Sequence, residues 1–305
     1  MSAAHMPRPV VSVDGPTPPD IAVGPVPAAT SPRRRPGASF FVGAAIVGIV
    51  ALMALVSFVW TPHDPTFVDA SARLRPIGDP DYLLGTDKLG RDVLSQVLVG
   101  ARTTLFVGLV AVGLAGIVGV PLGIIAAMAH RGVGEPLMRG MDLLLAFPAL
   151  LLAIMFSAVY GGSTLVAMVA IGIASVPSFV RIVRSGAMQV LGTEYVMAAR
   201  ATGRGPWAIG LRHVLPNVSG LVIVQASVSF AIAVLAEAAL SFLGFGTPPP
   251  TPSWGRMLQE SQELLFAAPR LAIVPGIAIA VAVLGFNLLG DGLRDHYDPR
   301  MEDRR

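Results

Sequence analysis

Apolar positions in this chain come in long runs, separated by polar stretches of very uneven length. The runs cover residues 39–60, 103–129, 137–160, 164–183, 218–243 and 271–289. A helix rises 1.5 Å per residue and needs roughly 20 residues to cross a hydrocarbon layer of about 30 Å, so each run is a candidate span. No ten-residue alternation of apolar and polar positions recurs, as it would in a transmembrane barrel. The pattern therefore predicts an all-α integral membrane protein with six transmembrane helices. The first run, Ser39 to Trp60, is longer than a signal-peptide core and lacks a small-x-small cleavage site. It reads as a retained span with Trp60 at the far interface.

One polar stretch carries helical structure of its own. Residues 194–217 read as two short helices meeting at a corner. Thr193 is placed to cap the first, and Glu194 complements its positive end. Met197, Ala198 and Ala201 share a face with Glu194 by helical spacing. Gly203 suits the left-handed residue that ends a helix, and Pro206 suits the first turn of the next. In the second helix Trp207, Gly210, Leu211 and Val214 form an apolar stripe that would anchor the corner, and Pro216 closes the segment.

The other polar stretches divide by composition. Residues 1–36 are rich in proline and short polar side chains and bury too little to fold. They read as a disordered tail ending in Arg33, Arg34 and Arg35, directly before the first span. Residues 61–102 contain Gly85-Thr-Asp87-Lys88-Leu-Gly-Arg91-Asp92, where the glycines permit a tight turn and Asp92 starts a helix. A phosphate-binding loop is the competing reading there, but its acidic residues would repel an anion. Asp142 can pair with Arg139 or help hold the corner, and Pro148 permits a kink. Glu237 lies inside the fifth span, where an ionisable group faces the bundle interior or a cavity; lining a pathway and structural pairing both fit it. Residues 244–269 leave the membrane through a proline-rich turn and Trp254.

Composition narrows the chemistry. Charged residues make up 13% against 53% hydrophobic, with a mean hydropathy of +0.68. Soluble chains carry about 25% charged residues. Cysteine is absent and the five histidines are scattered, so neither a disulfide nor a metal site is expected, and no cofactor bound by this chain. Nothing suggests nucleic acid; membrane lipid is the expected surroundings. Lys88, the sole lysine, stands between Asp87 and Leu89, so no Gly-Lys-Ser/Thr phosphate loop exists. If ATP and Mg drive this protein, the ATPase is another polypeptide. Six spans with the N-terminus inside put fifteen of the 22 Lys and Arg residues in the cytoplasm. Positive residues favour that side, so both termini and the corner are expected there.

The spacing Ala198-Ala199-x3-Gly203, continued to Leu215-Pro216, resembles the coupling-loop signature of ABC importer permeases. The wider run Glu194-Tyr-Val-x-Ala-Ala-Arg200-Ala…His213-x-Leu-Pro-Asn217 is similar to the C-type dipeptide/oligopeptide branch. Met197 stands where that family usually has Glu, and His213 where it usually has Ile. Gly85-Thr-Asp-x-x-Gly-Arg-Asp92, Met141-Asp-Leu-Leu-Leu-Ala-Phe-Pro148, the 244–257 run and the tail 286–300 resemble further family motifs in the family's order. The resemblance implies a type I importer permease fold with a cytoplasmic coupling-helix loop in a bacterial inner membrane. It implies a homologous B-type permease as partner, one or two P-loop ATPases, and an extracytoplasmic binding protein. Glu194, Ala198, Ala199, Arg200 and Gly203 would dock the ATPase, with Trp207, Leu211 and Pro216 supporting the corner. Asp87, Arg91, Asp92, Trp254 and Glu237 would belong to an outer gate or pathway. Peptides would be the cargo, with nickel chelates, haem or glutathione-like compounds as alternatives. An ion-driven secondary transporter would show internal repeats and midplane charges, and a membrane enzyme would show a catalytic constellation. Neither pattern is evident here.

Overall fold

The computed structural model describes residues 37–297; the proline-rich tail lies outside them. All regular structure there is helical. The helices are α1 Ala38–Val59, α2 Val93–Met128, α3 Arg131–Ala146, α4 Ala149–Tyr160, α5 Thr164–Leu191 and α6 Glu194–Ala201. They continue with α7 Pro206–Phe242, α8 Trp254–Ser261 and α9 Arg270–Tyr297. Five of them (α1, α2, α5, α7 and α9) are long and apolar enough to cross a membrane unaided.

The expected third span is not one helix. α3 and α4 meet at 82°. Pro148 lacks an N–H and disfavours helical backbone at the residue before it, and Phe147 accordingly adopts extended angles. At 12 residues, α4 reaches only about 18 Å, too short to span alone. The pair is thus not one kinked helix, and the bundle has five continuous spans, or up to six with the bent pair counted as one.

Two other expected boundaries move outward because charge does not stop a helix. α5 runs through Arg181 and Arg184 to Leu191 and stops at Gly192. α2 begins ten residues before the expected 103, because Asp92 caps it by accepting from the N–H groups of Leu94 and Ser95.

The core forms where α2, α5 and α7 cross. Val107, Ala111, Ala167, Ile171, Ala233 and Leu240 pack into one cluster, and Val97, Val234, Trp254 and Ala282 into another beside α1 and α9. Small residues let the backbones approach, as in other membrane bundles. A Cβ at Gly123 would lie 2.7 Å from that of Val183. Large apolar side chains such as Leu109, Ile117 and Leu52 point outward, the arrangement that lipid or another membrane chain would cover.

Candidate functional site

The corner sits at one end of the bundle, after α5. Val196 and Met197 donate their N–H groups to the Thr193 carbonyl, but the Thr193 hydroxyl caps nothing ahead of it. It turns back to donate to Val190 at 2.6 Å. Glu194 in the first turn and Arg200 in the last complement the helix dipole. At the far end Gly203 N–H reaches the Arg200 carbonyl at 2.9 Å and Arg204 N–H reaches Ala199 at 3.2 Å, with Gly203 at φ +80°. These two bonds close a Schellman motif, which needs a left-handed residue at its centre. Pro206 then starts α7, as its spacing suggested.

The anchoring differs from the sequence expectation. Trp207 and Leu211 are exposed, at 73% and 61%. Gly210 and Val214 of the expected stripe are buried, and Val196 and Ile209 take the place of the other two, with Val196, Ile209 and Val214 packed against Val183, Ala187 and Val218. The stripe is displaced because residues 210–214 form a π-helical turn, in which Leu215 N–H bonds the Gly210 carbonyl. The wider turn offsets the residues before it from the face that follows, and Trp207 and Leu211 line an apolar groove of about 290 Å³ against Pro121, Ile125 and Met128 of α2.

The same turn corrects the expectation for Pro216. That residue does not close the segment, since α7 continues through it to Phe242. A proline in a regular helix clashes with the carbonyl four residues back; the wide turn lies just ahead of it here. Asn217 secures the neighbourhood, donating from Nδ2 to the His213 carbonyl at 2.7 Å and to the Tyr195 hydroxyl at 3.2 Å. That bridge between α6 and α7 was not read from the sequence. Glu194, Ala198, Arg200 and Gly203 remain exposed, and Ala199 is half-buried. Asp142 pairs with Arg181 at 2.7 Å rather than with Arg139 or the corner.

The opposite end is a polar rim. Asp87 accepts from the N–H groups of Leu89 and Arg91 at 2.8 and 2.9 Å, from Arg91 Nε at 2.6 Å and from Gln96 Nε2 at 3.2 Å. A carboxylate therefore takes the donors that a phosphate would need. Arg91 also bonds Glu260, which accepts from Arg256 Nε at 2.9 Å. Burial opposes the Arg91 charge, but Asp87 and Glu260 outweigh it and hold the guanidinium above its ordinary pKa. Glu260 was missed in the sequence because its partner is 169 residues away.

Beneath the rim, Trp254 is 1% exposed and donates from Nε1 to the Val97 carbonyl at 3.0 Å. Glu237 is equally buried, so it lies within the packing and not on a cavity wall. Its partner is the Ser241 hydroxyl at 2.7 Å, which itself accepts from Thr247 N–H at 3.1 Å. Thr104 Oγ1 is 3.5 Å away, and no cation pairs with Glu237 among the described residues. It ties the 244–253 turn to α7. Among the described residues no three metal-ligating side chains gather at one point.

The profile of a family described as "Binding-protein-dependent transport system inner membrane component" matches residues 119–303. The chain is 42% identical to a putative peptide transport system permease protein of Brucella suis biovar 1, over 93% of this chain and 95% of that one. It is 39% identical to the di/tripeptide transport system permease protein DppC of Pseudomonas aeruginosa, over 90% and 94%. Among solved structures, it resembles a chain of the MetNI methionine ABC transporter in inward facing conformations. That match has a TM-score of 0.56 at 17% identity, over 66% of this chain and 96% of that one.

Proposed function

The chain belongs to the family of binding-protein-dependent transport system inner membrane components, and on that premise we propose that it is the permease subunit of an ATP-driven peptide importer. It forms half of a pathway with a homologous permease. A separate P-loop ATPase, using ATP and Mg, docks on the corner; one or two such subunits serve the pair, and an extracytoplasmic binding protein delivers cargo to the rim. Both termini and the corner face the cytoplasm, in line with the side on which fifteen Lys and Arg residues gather.

The corner carries this reading. Force is transmitted only by a part that is rigid, exposed and continuous with a span. The Schellman closure at Gly203 and the burial of Val196, Ile209 and Val214 make it rigid. Glu194, Ala198 and Arg200 face outward, and small Ala198 and Ala199 allow close approach. The π turn passes directly into α7.

A gentle-detergent pull-down on this chain, with ATP hydrolysis assayed, tests the reading. A second permease and at least one P-loop ATPase should co-purify, and the ATPase should be lost on Ala198→Trp. A chain that purifies alone and transports in liposomes under an ion gradient overturns it.

A further inference from the structure

Halfway along the bundle, α5 and α7 turn four polar side chains toward one cavity. Ser175 and Ser178 come from α5, and Gln225 and Ser229 from α7. Ser175 lies eleven residues after Thr164, the start of α5, or about 17 Å along the axis, near the middle of a hydrocarbon layer of roughly 30 Å. The cavity holds about 200 Å³, with apolar Ala153 and Ile232 among its other walls.

Polar groups at that depth are costly unless something satisfies them. Ser175 bonds back to the Ile171 carbonyl at 2.9 Å, and Gln225 Nε2 donates to Ser229 at 2.9 Å. The Ser178 hydroxyl and the Gln225 carbonyl have no partner among the described residues. Nearer the rim, Thr103 bonds Pro252, Ser157 bonds Phe245 and Ser241 bonds Glu237. The Ser178 hydroxyl and the Gln225 carbonyl therefore stand unpaired at the waist of the bundle, around open volume. No formal charge lines that volume; Arg181, one turn beyond Ser178, is neutralised by Asp142.

We propose that this cavity is the chain's half of the translocation pathway, and that Ser178, Gln225 and Ser229 exchange hydrogen bonds with the amide groups of a passing peptide. The inference rests on the importer reading and adds to it the residues and their chemistry. A peptide group offers one donor and one acceptor, which hydroxyl and carboxamide side chains match whatever the peptide sequence. Neutral hydrogen bonds, weak in net terms because each replaces one to water, favour passage over capture. Small-molecule sites usually enclose roughly 300–1,000 Å³, so 200 Å³ is the size of a partial site that a second permease completes.

The absence of cysteine makes the test direct. Ser178→Cys, Gln225→Cys and, as an outward-facing control, Leu52→Cys are each assembled with the partner subunits in lipid vesicles. They are then treated with a charged, water-soluble methanethiosulfonate. Such reagents attack thiolate in water, so the two cavity thiols should react about tenfold faster than the control. Labelling them should abolish most ATP-driven uptake of alanyl-alanine relative to the same preparation before labelling, and saturating alanyl-alanine should slow the reaction. Cavity thiols no more reactive than the control, in an importer whose unsubstituted form takes up peptide, overturn the inference alone. An unsubstituted assembly without ATP-driven peptide uptake overturns the importer reading and this inference with it.

Discussion

Replacing Gly203 separates backbone conformation from side-chain contact at the corner. A Cβ there would meet nothing within 4 Å, so a larger residue clashes with no part of this chain. What it cannot do cheaply is hold φ at +80°. The left-handed conformation costs a non-glycine residue about 1–2 kcal/mol, asparagine less and β-branched residues more. The corner is otherwise fastened by Val196, Ile209 and Val214, all at 2% exposure or below. Each such side chain contributes roughly 1.5–3 kcal/mol. The anchors therefore outweigh the strain, and the chain should insert and assemble normally. The angle between α6 and α7 yields instead. A penalty of 1–2 kcal/mol lowers the population of the closed corner about 5- to 30-fold. Peptide uptake per ATP hydrolysed, measured in vesicles, should fall in the order Gly203, Gly203→Asn, Gly203→Ala, Gly203→Val. Valine behaving like glycine would refute the conformational account. Asparagine behaving like valine would show that bulk in the docking groove matters, and not φ.

Four further outcomes follow from the rim, its support and the exposed ion pair between α3 and α5. Arg91→Met leaves Asp87, 12% exposed, without a cation and Glu260 with Arg256 alone; it should cost up to about 3 kcal/mol, toward the low end for a broken buried pair, and lower the melting temperature in detergent. Breaking the exposed Arg181–Asp142 pair with Asp142→Ala should change melting by no more than the equivalent of about 1 kcal/mol, and equal losses in the two variants would contradict this. Trp254→Phe keeps most of the buried ring but loses the bond to Val97, and should melt well above Trp254→Ala, for which about 3–5 kcal/mol is expected. Glu237→Gln retains an acceptor for Ser241 while Glu237→Leu does not. Hydrogen exchange at the Thr247 amide should accelerate in the leucine variant only, and acceleration in both would assign the tether elsewhere.

Signals that depend on a single stretch of chain were readable in advance. The apolar runs located the five unbroken spans, because desolvating the backbone demands about 20 apolar residues in succession. Gly203 and Pro206 marked the end of one helix and the start of the next, since each acts through its own φ. Two kinds of feature escaped. Contacts between distant segments, such as Arg91 with Glu260 and Trp254 with Val97, leave no local pattern. Helix phase was the other: counting at 3.6 residues per turn assigned Trp207 and Leu211 to the buried face, and the π turn at 210–214 broke that count before it reached the core. Proline was legible as punctuation but not as to its strength. Pro148 breaks the expected third span by 82°, whereas Pro216 is absorbed.

The π turn also determines how the corner is aimed. A π turn amounts to one residue more than a regular helix would hold. Deleting a single residue between Gly210 and Val214 would restore the regular winding and swing everything before it by about 100° about the helix axis. Ile209 would leave the core, and the exposed Glu194, Ala198 and Arg200 would point elsewhere. The azimuth of the corner relative to α7 is thus encoded as a count of residues, like the stagger of teeth on a key. A one-residue deletion there would be more damaging than any substitution at the same positions.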